Sequence, residues 1–187
     1  MRNIEQKIET LLSVLKVKDS FTYVHTQRVA ELSTMLAEKI GLSENQIITI
    51  KHGAMLHDIG KIEINRSILN KSERLTKEEW NILKQHPVWG AEIAKSINLV
   101  KAGLPAIMFH HERWDGKGYP NGLKGEEIPL EARIICIADS FDAMTSHRPY
   151  RNALTIEQAI HELNRCRGTQ FDPYLLDYFI PIIKNQK

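Results

Sequence analysis

Four helix-start signals divide this chain before any fold is considered. Ser43-x-x-Gln46, Thr76-x-x-Glu79 and Thr155-x-x-Gln158 have the form of a capping box, in which a hydroxyl takes an orphan amide of the first turn and the third helical side chain reaches back to the cap. Asp172-Pro173 puts an acceptor ahead of a proline whose φ is already helical. Each signal precedes an apolar run at helical spacing, and Gly41, Gly60 and Gly168 fall where such runs stop, which predicts left-handed residues at helix ends. Strand-like alternation is missing. The run ARIICIAD continues at helical spacing through Asp142, so it too is expected to be helix. The expected fold is an all-α, single-domain helical bundle, with residues 1–19 as an N-terminal helix and residues 20–187 as the domain proper. No repeat or linker is visible, and the glycine-rich stretch 115–125 is the long irregular segment.

Charge narrows the partners. The 25 Lys and Arg nearly cancel the 23 Asp and Glu, so no whole-molecule field argues for DNA, RNA or an anionic membrane, and any anion site must be local. Two cysteines, one of them (Cys136) inside the apolar run IICIA, fit a reducing compartment better than a disulfide framework. The N-terminus spreads charges among its apolar residues, unlike a signal peptide, and nothing later approaches a membrane span. A cytoplasmic protein is expected.

The chain's chemistry lies in polar residues on faces that should be apolar. His25, Val29, Leu32, Leu36 and Ile40 share one helical face, and Ile47, Ile50, Ala54 and His57 share another, with Asp58 adjacent. His86, the pair His110 and His111, and Asp139 lie on or near other helix inner faces or ends. Each alone has an ordinary explanation as a core histidine, a cap or an ion pair. Five imidazoles and two carboxylates together are costly to bury unless something satisfies them, and a helical bundle can gather such groups around metal ions.

The stretches HTQRVAEL, HGAMLHDIGK, QHPVWGAEIA, HHERWDGKGYP and ARIICIADSFDAMTSHRPYR, in this order, make the chain resemble the HD-GYP branch of the HD metal-dependent phosphohydrolases over about residues 20–180. The resemblance implies a first metal held by His25, His57, Asp58 and Asp139. It implies a second held by His86, His110 and His111, with Asp58 bridging both. Iron or manganese comes first among the candidate metals; nickel, cobalt and zinc also suit imidazole and carboxylate ligands without thiolate. Some members carry a glutamate four residues before the leading histidine that helps hold a third metal. Here that residue is Phe21, so two ions are expected.

The same resemblance implies a phosphodiesterase that hydrolyses cyclic di-GMP to pGpG, with GMP as a further product, through a hydroxide bridging the two ions. Two divalent ions set against two carboxylates and a hydroxide leave roughly one positive charge beside Lys61, which suits a phosphodiester anion. Lys61, just past Gly60, is the candidate to stabilise transition-state charge. GKGYP lacks the GK[ST] of a phosphate-cradling P-loop. In the family that the chain resembles this stretch lies by the active site, and that resemblance makes Gly118 and Tyr119 candidates for shaping the substrate pocket. Arg148 and Arg151 match the family's phosphate-gripping positions, and Asp142, one turn after Asp139, is a candidate to orient a ligand or Lys61. Two rivals stay open: a phosphohydrolase of another nucleotide such as cyclic GMP-AMP, and a binding or scaffold module without turnover. Signalling proteins and a second copy of the chain remain candidate partners.

Overall fold

The computed structural model describes residues 2–96, 103–147 and 152–185. Helix α1 (Arg2–Lys18) is separated from α2 (Ser20–Lys39) by Asp19, whose backbone is extended and whose carboxylate accepts from the Phe21 and Thr22 amides. Next come α3 (Glu44–Leu56), a 3-10 turn (Ile59–Glu63), α4 (Arg66–Leu69), α5 (Lys77–Leu83) and α6 (His86–Ser96). Then follow α7 (Leu104–Phe109), a long loop, α8 (Leu130–Thr145), α9 (Ile156–Arg165) and α10 (Pro173–Lys184). Among the described residues there is no strand, only isolated bridges from Asp115 to Lys124 and from Arg167 to Phe171.

The start signals act as expected. The Thr76 and Thr155 amides donate to Glu79 and Gln158 at 2.7 and 2.9 Å, the Ser43 amide donates to Gln46 at 3.1 Å, and Asp172 accepts from the Tyr174 amide at 2.9 Å. Such caps are worth about 1 kcal/mol each. Gly41 and Gly168 are left-handed, with φ of 77° and 71°. Gly60 departs from expectation. It lies within the 3-10 turn, where a β-carbon would run into the His86 carbonyl oxygen and come within 2.6 Å of the Gly90 nitrogen. Its glycine serves a close approach of two segments rather than a helix stop. His57 is the C-cap of α3, and Asp58 leads from it into the 3-10 turn.

Two apolar clusters hold the bundle. One joins α2, α3, α8, α9 and α10 through Val29, Leu36, Ile50, Ile134, Ile137, Leu176 and Phe179. The other joins α1 to the end of α3, the 3-10 turn, α6 and α7 through Ile8, Leu12, Leu15, Leu56, Ile59 and Ile107. Helix α3 contributes to both, and His57 and Asp58 directly follow it. The first cluster's helices bring His25 and Asp139 to this seam, and the second's bring His86 and His110. The polar cluster is thus fixed wherever the two cores meet.

Candidate metal centre

Asp58 lies at the middle of the seam, 2% exposed, with its two oxygens facing different groups. Oδ2 is 4.0 Å from His25 Nε2 and 3.5 Å from His57 Nε2, while Oδ1 is 3.3 Å from His86 Nε2. His25 Nε2 also meets Asp139 Oδ1 at 2.9 Å. His86, His110 and His111 form the second group, with candidate ligand atoms all within 4.8 Å of one another, as are those of His25, His57 and Asp58. All seven ligand candidates of the sequence are brought together.

The histidines are oriented by a common device. The Nδ1 of His57 points at the Ala54 carbonyl (2.6 Å), that of His86 at Leu83 (2.7 Å) and that of His110 at Ile107 (2.8 Å), each three residues back. Ala54, Leu83 and Ile107 lie in the last turn of α3, α5 and α7, where carbonyls lack intrahelical partners. A nitrogen facing a carbonyl must carry the proton, so Nδ1 donates and Nε2 keeps its lone pair. His25 Nδ1 likewise donates, to Asp142 Oδ2 at 2.6 Å.

The consequence is a set of inward lone pairs with nothing to receive them. His57 Nε2 is buried without a hydrogen-bond partner, and the Nε2 atoms of His86 and His110 face each other at 3.3 Å. Two such lone pairs repel unless a cation stands between or beside them. This donor set, imidazoles oriented by an acceptor on the far nitrogen together with carboxylates, fits divalent metal ions.

The electrostatics agree. Burial, then the neighbouring His111, His57 and His86, hold the His110 pKa well below its ordinary value, and burial with His86 pushes His111 down to about 3. These imidazoles are neutral. Burial alone would raise Asp58, but Lys61, His57 and His86 hold its carboxyl well below the carboxylate range. Burial also disfavours the His25 cation, yet Asp139 and Asp142 outweigh it and lift its pKa to about 9. Lys61 Nζ donates to Asp58 Oδ2 at 2.5 Å.

Around this centre, Asp142 orients His25 rather than Lys61. The sequence left both options open, and the partner that completes the choice, Arg28, escaped notice: its guanidinium donates to both Asp142 oxygens. Its position one turn after His25, in HTQR, was the available signal. Glu112 was also missed. It is 2% exposed and accepts from the Asn121, Gly122 and Leu123 amides at 2.7, 3.1 and 3.1 Å, tying the loop back beside His110 and His111. Gly118 lies so close to that strand of chain that a β-carbon would come 2.5 Å from Glu112 Cα and 2.6 Å from the His111 oxygen. Tyr119 thereby stacks on His111, ring centroids 4.8 Å apart. Arg148 and Arg151 lie outside the described residues.

The family model described as HD domain matches residues 9–175. A cyclic di-GMP phosphodiesterase of Thermotoga maritima is 42% identical over 179 residues, covering 95% of this chain and 49% of that protein. A 3'3'-cGAMP-specific phosphodiesterase 2 of Vibrio cholerae is 37% identical over 178 residues, covering 94% of this chain and 34% of its own length. The chain thus spans half or less of these curated relatives. Among solved structures, the HD domain of the L. monocytogenes phosphodiesterase PgpH in complex with cyclic-di-AMP has a TM-score of 0.68 at 23% identity, over 95% of this chain and 98% of that one, a likeness of fold.

Proposed function

The chain belongs to the HD-domain family, in its HD-GYP branch, and from that premise we propose that it is a metal-dependent phosphodiesterase cleaving cyclic di-GMP to pGpG, a second cut giving GMP. The observation that carries this reading is Asp58, whose Oδ2 faces His25 and His57 while Oδ1 faces His86. Such a carboxylate suits two ions, one on His25, His57, Asp58 and Asp139 and one on His86, His110, His111 and Asp58. Bound there, divalent ions, iron or manganese foremost, supply Lewis acidity that lowers the pKa of water and neutralises charge on phosphoryl oxygens.

The protein's own groups do the rest. Asp58 shares its charge between the two ligand sets. Lys61, partly exposed beside Asp58 and bordering the cleft that holds Phe21 and His25, is placed to donate to a phosphoryl oxygen as charge builds on it. Burial, then Asp58 and Asp139, keep the Tyr119 phenol protonated, so it remains a donor toward substrate. Arg148 and Arg151 are assigned to the substrate's phosphates. Residues 20–187 form the catalytic domain, buttressed by the N-terminal helix.

Two ions, not three, follow from Phe21, which lines the cleft beside His25 where another ligand would be needed. Elemental analysis of anaerobically prepared protein, with chromatography of the products from cyclic di-GMP, tests both points. Two ions per chain and accumulation of pGpG are expected; three ions refute the Phe21 argument, and no hydrolysis by metal-loaded protein refutes the enzyme. The cGAMP-specific relative supports a second reading, cyclic GMP-AMP as substrate, decided by the ratio of kcat/KM for the two dinucleotides.

A further inference from the structure

Two clefts flank the ligand cluster. The smaller, about 290 Å³, is bordered by Phe21, His25, Lys61, Leu69 and Lys71. Its lysines are committed, Lys61 to Asp58 and Lys71 to Glu79 at 2.7 Å. The larger, about 500 Å³, has His110, His111 and Asp139 in its lining, with Trp80, Lys84 and Lys117. Neither Lys84 nor Lys117 is ion-paired with a described residue.

Trp80 is 45% exposed at the rim of that cleft, in α5, with Lys84 four residues on and so on the same helical face. Tyr119 also lines the cleft, but its ring already stacks on His111. The Trp80 indole makes no ring contact among the described residues and has a face to offer. A single exposed tryptophan is unremarkable on a protein surface. One that shares a cleft with metal ligands and two ammonium groups outside any ion pair with a described residue is a different matter, because an aromatic face beside cations is how nucleotides are held without sequence-specific hydrogen bonds.

A cyclic dinucleotide carries two phosphodiesters and two bases, and only one phosphodiester is cleaved at a time. We propose that Trp80 is the stacking platform for a base of the substrate, and that Lys84 and Lys117 take the second phosphate while the first is at the metal ligands. This rests on the phosphodiesterase reading above and names the part of the site that separates a dinucleotide from a simple phosphodiester. Trp80 and Lys84 act on substrate selectivity, not on the bond cleaved.

The test compares kcat/KM for cyclic di-GMP with that for ethyl 4-nitrophenyl phosphate, which has one phosphate and no nucleobase, in metal-loaded protein. Trp80→Ala should lower the ratio of the two about tenfold, the usual loss for one stacked base, with the change in KM for the dinucleotide. Trp80→Phe should recover much of it, and Lys84→Ala should lower the same ratio. Because Trp80 is surface-exposed, metal content and melting temperature should match the natural chain. A ratio within twofold of the natural value in both alanine variants overturns the proposal while leaving the phosphodiesterase intact. Failure of the natural chain to cleave either compound overturns both.

Discussion

Gly60 lies against the main-chain carbonyl of His86 so closely that no β-carbon fits between them. This contact registers the 3-10 turn after α3, which carries Lys61 and is preceded by Asp58, against the start of α6, which carries His86. It sets the 3.3 Å approach of His86 to Asp58. Gly60→Ala must therefore spread the two segments. Overpacking of this kind costs about 1–3 kcal/mol or more. The expected outcome is a lower melting temperature together with loss of metal from the His86 side, leaving about one ion per chain by mass spectrometry. An unchanged melting temperature with full metal content would show that the backbone yields without cost.

Asp58 faces both ligand groups, so Asp58→Ala should lose both ions together rather than one. It removes the carboxylate that faces both ligand sets, and with it the charge that limits repulsion between the ions. Two retained ions with full turnover would exclude a bridging role.

Lys61→Ala should reduce kcat about 100-fold or more with metal content intact, as for loss of one preorganised donor. If the change were confined to KM, Lys61 would be a substrate-capture residue instead.

Asp142 holds the far nitrogen of His25 and is itself held by Arg28. Burial opposes its charge, but His25 and Arg28 keep its pKa below the ordinary value. Asp142→Asn leaves the shape and removes the charge, and it should weaken metal affinity about 10- to 100-fold, read by competition with a chelator. An unchanged affinity would mean that packing alone orients His25.

Cys136 gives a separate pH signature. Burial, then Asp139, push its thiol up to about 12 from an ordinary 9.0. A raised acid opposes ionisation in the folded state. The unfolded chain loses that proton first, so this group's contribution to stability is intact below pH 9 and declines as pH rises toward 12. At pH 8 a thiol reagent should label the half-buried Cys166 well before Cys136, with the second thiol appearing only in denaturant. Equal rates would contradict the burial.

Much of this protein is legible in one dimension, because helices announce themselves locally. Caps such as Thr76 with Glu79 and faces such as His25, Val29, Leu32 and Leu36 depend on neighbours three or four residues apart, so the all-α class and the inward direction of the histidines follow from spacing. The candidate ligand set came from motifs that resemble a known family, and the fold gathers all seven residues. Gly60 was misjudged because a glycine after a helical run looks the same whether it ends a helix or admits a carbonyl from 26 residues away. Arg28, Glu112 and the choice of partner for Asp142 were likewise decided by contacts 114 residues apart in one case and nine to eleven in the other. Local sequence sets which side chains turn inward. Only the meeting of the two apolar cores decides which of them share a charge, since that distance is fixed by how helices far apart in the chain pack.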